Sequence, residues 1–265
     1  MKAFAMLNMK GGVGKTTTAV NLAYILAAEY DMNVLLVDAD AQGNATQTLM
    51  PDADHSSRDG LAMLLCGMNG NPDEIIVETE ITGLDLLPAS DALWEPELMA
   101  LSGDDRGHIY GALRNLRDVL DGTDAYDVMI IDCPPNFSAA CVSAIYAANS
   151  VVIPVLPDAF SSDGMAGLVA QIDGIRRFHA DIRVAGCLVT QWHRADVVVQ
   201  AVEQFRKDAL VPVYDTVIRR TDKVLESSWA REPVITWSPF SAAARDYRAW
   251  AKELIRKEGL SNGAF

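Results

Sequence analysis

The sequence predicts an α/β protein: a single doubly wound domain in which helices cover both faces of a mostly parallel sheet. Three observations support this prediction. Short, nearly continuous apolar runs recur along the 265 residues, as is typical of parallel strands buried on both faces. Stretches long enough for crossover helices separate most of these runs. Hydrophobic residues make up 50% of the chain, which is enough for the core that such a fold needs.

The elements follow in chain order. The first strand is predicted at residues 3–7, and the first helix at residues 16–30, where Val20, Ala23 and Leu26 share one face. Further strands are predicted at 34–37, 84–87, 128–131, 151–155, 184–189, 216–218 and 234–237.

Two further stretches complete the outline. Residues 245–257 repeat apolar side chains at helical spacing among basic ones, which predicts a closing helix packed on the sheet. Met50 to Gly60 is polar and turn-rich, and we expect a surface loop that is too short to separate domains. One domain is therefore predicted over residues 1–265.

Composition limits the function. A formal net charge of −14 argues against a surface covered with nucleic-acid contacts, although a local basic patch remains compatible with it. The four cysteines match no metal or redox spacing, which predicts buried free thiols. The N-terminus contains no signal peptide, and no apolar run reaches the length of a membrane span. We therefore expect a soluble, cytoplasmic protein.

The strongest motif lies between the first strand and the first helix. It runs Lys10-Gly11-Gly12-Val13-Gly14-Lys15-Thr16-Thr17. Glycines let backbone N–H groups converge on phosphate oxygens, and the helix N-terminus adds partial positive charge. In such a phosphate-binding loop (P-loop), Lys15 reaches the β and γ phosphates, the Thr16 hydroxyl holds Mg²⁺, and Thr17 bonds the α phosphate. The motif predicts ATP and Mg²⁺ as ligands.

Acidic residues follow two strands. Asp38 and Asp40 end the strand at 34–37, and alternation along an extended chain would place them on one side. Such acids orient attacking water or support a Mg²⁺ shell, although capping of a loop is the alternative role. Asp132 ends the strand at 128–131 and is predicted to hold Mg²⁺ through water.

The loop also departs from the ordinary P-loop, because Met9 replaces its first glycine and Lys10 adds a second lysine. In this the chain resembles the deviant P-loop ATPases of the ParA/MinD family, and ParA-type partition ATPases over nearly its whole length. The resemblance implies that Lys10 reaches the partner's nucleotide in an ATP-driven homodimer. It also implies that Asp40 positions water and that Asp38 belongs to the metal shell. The chain is similar to the short form that lacks an N-terminal helix-turn-helix domain.

The resemblance further implies the biological role. ParA-type dimers bind double-stranded DNA without sequence preference and are stimulated by a ParB-like centromere-binding partner. We therefore expect a slow ATPase that segregates plasmid or chromosomal DNA and associates with the nucleoid. The candidate DNA-binding residues are Arg194, Arg219, Arg220 and Lys223.

Two other functions remain open. A MinD-like ATPase would position cargo on a membrane through a basic amphipathic C-terminal helix, and related ATPases carry protein complexes. An electron-transfer iron protein would need cysteines near the switch regions to hold a cluster. Cys133 and Cys141 stand in the wrong context for that.

Overall fold

The structure is a computed structural model that describes residues 1–51, 59–68, 71–103, 105–157, 170, 173–174, 176, 179–208 and 211–260. Its strands are β1 Lys2–Met6, β2 Val34–Asp38, β3 Val77–Glu78, β4 Leu84–Leu87, β5 Val128–Asp132, β6 Ser150–Val155, β7 Arg183–Trp192 and β8 Val213–Arg219. Its helices are α1 Lys15–Tyr30, α2 Asn44–Leu49, α3 Gly60–Leu65, α4 Trp94–Ser102, α5 Arg106–Asp121, α6 Ala139–Ala147, α7 Asp196–Asp208, α8 Asp222–Ala230, α9 Val234–Trp237 and α10 Ala242–Glu258.

Over the described residues the strands form one eight-stranded sheet in the order β3-β4-β2-β5-β1-β6-β7-β8. All neighbouring pairs are parallel except β3 and β4. The register of β2 and β5 places Asp38 opposite Asp132. The carboxyl ends of the central strands therefore bring these two acids together, at the edge where open α/β sheets bind ligands.

Alternation along β1 shows how the sheet builds two cores. Ala3, Ala5 and Leu7 face the core under α3, α5 and α6, whereas Phe4 and Met6 face the core under α1 and α10. Strands buried on both faces need helices on both sides, which explains their continuous apolar runs. The doubly wound fold predicted from the sequence is confirmed.

The predicted strands are confirmed, with one exception. Residues 234–237 form the short helix α9. Its β-branched side chains suggested a strand, but Trp237 donates its N–H to the Pro233 carbonyl at 3.0 Å, and the buried Asn21 side chain accepts the N–H of Ile235. These bonds satisfy a single turn locally. The two-residue β3 was not predicted.

The closing helix is confirmed. In α10, Tyr247, Trp250 and Leu254 are buried, and the helix packs on β8 and α1. Its apolar face is therefore covered by the protein itself. Of the loop predicted from Met50 to Gly60, residues 52–58 lie outside the described part of the chain.

Two further expectations concern the whole chain. Cys133, Cys141 and Cys187 are buried, Cys66 is half-buried, and all four are free thiols. In the ranges that the structure covers, no helix combines the length and the apolar character that crossing a bilayer requires.

Candidate functional site

The P-loop joins β1 to α1 in an open, glycine-shaped bend. Gly12 and Gly14 have positive φ angles of 73° and 87°, which other residues adopt only with strain. A Cβ added to Gly11 or Gly12 would meet no atom within 4 Å. These glycines therefore face open space, where a phosphate can approach the backbone N–H groups closely.

The end of β7 holds the loop in shape. Thr190 donates its hydroxyl to the carbonyl of Val13 at 2.8 Å, and Gln191 donates its side-chain amide to the carbonyl of Gly12 at 2.8 Å. Val13 is buried, so it offers only its backbone to a ligand. Neither residue was predicted from the sequence, and only their place at the carboxyl end of a strand could have indicated them.

The two lysines differ in their surroundings. Lys15 is buried, and its Nζ donates to the Lys10 carbonyl at 3.3 Å across the loop. Burial lowers the pKa of Lys15, and the charge of Asp132 opposes that effect. The Lys10 side chain is exposed at the rim of the loop. Lys15 thus lies inside the loop, and Lys10 lies at its rim.

Asp38 organises the segment after β2. Its carboxylate accepts hydrogen bonds from the N–H of Asp40 at 3.1 Å and from the N–H and hydroxyl of Thr46 at 2.8 Å and 2.9 Å. Thr46 also accepts the N–H of Ala89. Burial raises the pKa of Asp38 to about 6, although these hydrogen bonds lower it in part. No sequence motif indicates this role for Thr46.

Asp40 stands at the cavity, half-buried. β2 ends at Asp38, Ala39 still donates its N–H to the Asp132 carbonyl, and the chain turns between Asp40 and Gly43. That Asp38 and Asp40 lie on one side of the chain stays a prediction. Asp40 is nevertheless close enough to Lys15 and Asp132 for its charge to affect the pKa of both. An acid in that position can orient a water molecule.

Asp132 is fully buried, and neither of its carboxylate oxygens has a hydrogen-bond partner among the described residues. Burial and then the charge of Asp38 raise its pKa well above the usual range. The Thr16 hydroxyl is near enough to lower that pKa in part, but it does not meet hydrogen-bond geometry. A buried carboxylate without partners is costly unless a cation or donor completes it.

These residues fit a magnesium ion. Mg²⁺ in nucleotide sites takes one or two protein oxygens and completes its shell with phosphate oxygens and waters. Thr16 and Asp132 offer such oxygens beside the loop, whereas the oxygens of Asp38 already accept three bonds. Within the described ranges, no three His, Cys, Asp or Glu side chains cluster to hold a metal without other ligands. The metal role of Asp38 stays a prediction.

A cavity of about 730 Å³ extends from the loop toward α8. Its lining combines loop residues, among them Gly12, Lys15 and Thr16, with apolar side chains such as Ile218, Val224 and Leu225 and with charged ones such as Arg219 and Arg220. A cavity of this volume that begins at a phosphate-binding loop is large enough for a nucleotide.

The predicted DNA-binding residues are brought partly together. Arg219 ends β8 and Arg220 follows it, and both line the cavity. Lys223 lies in α8. Arg219 donates to both carboxylate oxygens of Asp246, and Lys223 is paired with Glu226 at 2.7 Å. Arg194, after β7, and Arg220 are exposed. Their role in DNA binding stays a prediction.

Comparisons with known proteins agree with this geometry. A family model described as an AAA domain matches residues 1–184. The chromosome-partitioning ATPase Soj of Thermus thermophilus is 35% identical over 97% of this chain and 96% of its own. The sporulation initiation inhibitor protein Soj of Bacillus subtilis is 33% identical over 96% of this chain and 98% of its own.

One similar structure was solved with bound ligands. Cobyrinic acid a,c-diamide synthase from Mycobacterium smegmatis, with a bound ATP analogue and magnesium, superposes with a TM-score of 0.81. It is 28% identical, and the match covers 98% of this chain and 96% of that one. With the P-loop, the paired strand-end acids and full-length likeness to Soj proteins, the chain belongs to the ParA/MinD family of P-loop ATPases.

Proposed function

We propose that this protein is a partition switch that binds ATP and Mg²⁺, dimerises, holds DNA without sequence preference, and is reset by hydrolysis. The observation that carries the proposal is the pairing of a buried Lys15 with an exposed Lys10 on one P-loop. One lysine serves the phosphates of its own chain. The second adds positive charge at the rim, where the phosphates of a facing copy would lie.

Each residue of the site has its own role in this proposal. Backbone N–H groups of Gly11 to Thr17 and the N-terminus of α1 hold the phosphates. Thr16 and Asp132 would hold Mg²⁺, which would supply positive charge against the phosphates. Asp40 orients the attacking water, and Asp38 fixes the segment that carries it.

The likeness to Soj proteins supports partition as the biological role. A ParB-like protein would stimulate hydrolysis, and the dimer would ride on nucleoid DNA through Arg194, Arg219, Arg220 and Lys223. Dimerisation doubles the number of basic side chains that face one duplex, which strengthens a contact that a single acidic chain makes weakly.

The two lysine variants test the proposal. We expect Lys15→Ala to weaken ATP binding by at least about a hundredfold, because it removes a charge-assisted phosphate contact inside the site. Lys10→Ala should bind ATP within about threefold of the parent and yet hydrolyse it more slowly, because its lysine acts across the dimer.

Equilibrium titration with a fluorescent ATP analogue and steady-state phosphate release give the two readouts. Lys252→Ala, on the exposed side of α10, controls for the loss of a lysine. Equal loss of ATP affinity in both P-loop variants would show that Lys10 serves its own nucleotide, contrary to the proposal.

A further inference from the structure

Strand β7 contains an extra residue where it passes the P-loop. Near this point β7 and β8 are paired twice, Val189 with Val217 and Trp192 with Arg219. Two residues of β7, Thr190 and Gln191, therefore stand between the pairs where β8 has one. An extra residue of this kind forms a β-bulge, which re-aims side chains and is frequent beside active sites.

The bulge turns two consecutive side chains toward one loop. In a regular strand, neighbouring side chains point to opposite faces of the sheet. Here the Thr190 hydroxyl donates to the Val13 carbonyl and the Gln191 amide donates to the Gly12 carbonyl, both at 2.8 Å. The extra residue thus gives the P-loop two adjacent donors from a single strand.

Gln191 has a strained backbone conformation. Its φ of 52° lies in the left-handed region, which costs free energy for a residue that carries a side chain. Four other non-glycine residues of the described ranges share this conformation: three are aspartates, which tolerate it, and Arg231 ends a helix. Gln191 instead lies within a strand. Such strain persists only where the surrounding structure imposes it, and it is concentrated at functional sites.

The two bonded carbonyls each share a planar peptide unit with the next backbone N–H. In a trans peptide unit the C=O and the N–H point in opposite directions. A donor that holds the Gly12 carbonyl therefore directs the Val13 N–H to the other side, and a donor on the Val13 carbonyl directs the Gly14 N–H in the same way. A hydrogen bond to the carbonyl also polarises the N–H of its unit and makes it a stronger donor.

We propose that Gln191 is a positioning residue for phosphate binding, and that the bulge presets the N–H groups of Val13 and Gly14 in the directions that hold phosphate. A loop with three glycines has many accessible backbone conformations, and ordering it on binding would reduce affinity. Two bonds from a strand that is paired on both sides reduce that cost in advance. The role of Gln191 rests on the proposed function, in which this loop holds the phosphates of ATP, and it adds a residue outside the loop motif.

Nucleotide affinity provides the first test. Gln191→Met keeps the length of the side chain and removes its N–H donor. We expect it to bind ADP and ATP about tenfold more weakly than the parent, by the same factor, because both carry phosphates that the loop holds. Titration with fluorescent ADP and ATP analogues measures both affinities.

A second glutamine provides the matched control. Gln47 also lines the cavity, but its amide donates to the Gln42 carbonyl, outside the P-loop. Gln47→Met should bind both nucleotides within about twofold of the parent. An equal loss of affinity in Gln47→Met and Gln191→Met would overturn the proposal, because any change in the cavity wall would then suffice.

A glycine variant separates positioning from support of the fold. Gln191→Gly also removes the donor, but it relieves the left-handed strain. We expect it to unfold at a temperature no lower than the parent and yet to bind nucleotide as weakly as Gln191→Met. A residue that only supported the fold would change the unfolding temperature and leave the affinity of the folded protein unaltered. Parental affinity in either Gln191 variant would overturn the proposal.

Steady-state hydrolysis distinguishes Gln191 from Lys10. The directed N–H groups hold phosphate before and during the reaction alike, so Gln191→Met should raise KM about tenfold and leave kcat within about threefold of the parent. Lys10→Ala is expected to do the reverse. A fall in kcat at unchanged KM would contradict a positioning role. The affinity for ADP requires no second copy of the chain, so it tests Gln191 even where the lysine variants contradict the proposed function.

The amide resonance of Val13 reports the direction of its N–H. In ligand-free protein labelled with ¹⁵N-valine, Gln191→Met should move this resonance upfield, because the carbonyl of the same peptide unit loses its donor. The resonance is assigned by its loss in Val13→Ile, and Gln47→Met should leave it in place. A Val13 resonance at the same position in the parent and in Gln191→Met would show that Gln191 does not position this N–H, and would overturn the proposal.

Discussion

At the scale of single residues, the site contains a buried carboxylate, that of Asp132, which destabilises the fold unless a cation or a hydrogen-bond donor pairs with it. Asp132 is buried beside Asp38, and its oxygens accept no bond from the described residues. Its pKa is raised, so the folded state binds a proton more tightly than the unfolded chain does. Proton binding by Asp132 therefore stabilises the fold. This stabilisation is fully present at a pH below the pKa of Asp132 in the unfolded chain, and it is lost as the pH rises through the pKa of Asp132 in the folded protein. Above that pH, the ionised side chain destabilises the fold.

Asp132→Asn tests this cost. We expect the ligand-free variant to be more stable than the parent at pH 8 by about 1–3 kcal/mol, because a neutral amide replaces an unpaired buried charge. The difference should shrink at pH 4. Urea unfolding midpoints at both pH values measure it, and added Mg²⁺ with ATP should favour the parent instead. A variant less stable than the parent at pH 8 without ligand would show that Asp132 has a stabilising partner.

At the scale of elements, β8 is an edge strand that depends on α10. Its pairing with β7 is irregular, and Glu253 compensates by accepting the N–H groups of Asp215 and Thr216 at 2.9 Å and 3.0 Å. Lys257 pairs with the same carboxylate at 2.8 Å. Burial raises the pKa of Glu253, but these hydrogen bonds outweigh it and the net shift is downward. The carboxylate thus stabilises the fold in its ionised form.

Glu253→Gln should cost about 1–3 kcal/mol of stability at pH 7, since the amide leaves one of two partly buried N–H donors without an acceptor. Because the pKa of Glu253 is lowered by folding, its carboxylate stabilises the fold at a pH above its pKa in the unfolded chain. This stabilisation is lost as the pH falls through its pKa in the folded protein. The loss should therefore shrink in acid. Thermal or urea unfolding from pH 7 to pH 3 checks this, with the exposed Glu203→Gln as control. A constant difference over that range would contradict the assignment.

The elements also show how far the sequence could lead. Local patterns predict the P-loop, the positions of the main strands along the chain, and the places of Asp38 and Asp132 at strand ends. The two-residue β3 is too short for periodicity to reveal, and α9 depends on a bond from Asn21, far away in sequence. Thr190 and Gln191 brace the loop from more than 170 residues away. Such long-range bonds are set by tertiary packing, which local propensity does not encode.

At the scale of the whole molecule, an acidic chain is proposed to bind an acidic polymer. We expect ATP, but not ADP, to confer binding to arbitrary duplex DNA that weakens steeply with salt, because each neutralised phosphate contributes to the slope. Arg220→Glu with Lys223→Glu should abolish the binding and leave dimerisation intact.

A titration of labelled duplex at two salt concentrations, with ATP, with ADP and without nucleotide, measures this binding. Arg114→Glu with Arg256→Glu makes the same change in net charge on α5 and at the end of α10, and should retain DNA binding. Equal loss in both double variants would mean that net charge alone governs the interaction and that there is no defined patch.

ATP is proposed to convert the monomer into a dimer. Sedimentation velocity of the parent protein and of Asp40→Ala, with Mg²⁺ and either ATP or ADP, tests it most directly. The parent should sediment as a monomer with ADP and move toward twice that mass with ATP. Asp40→Ala should remain at twice the mass for longer, because loss of the water-orienting acid slows hydrolysis and spares the phosphate contacts. A single mass that is the same with ATP, with ADP and without nucleotide, in both proteins, would contradict the account.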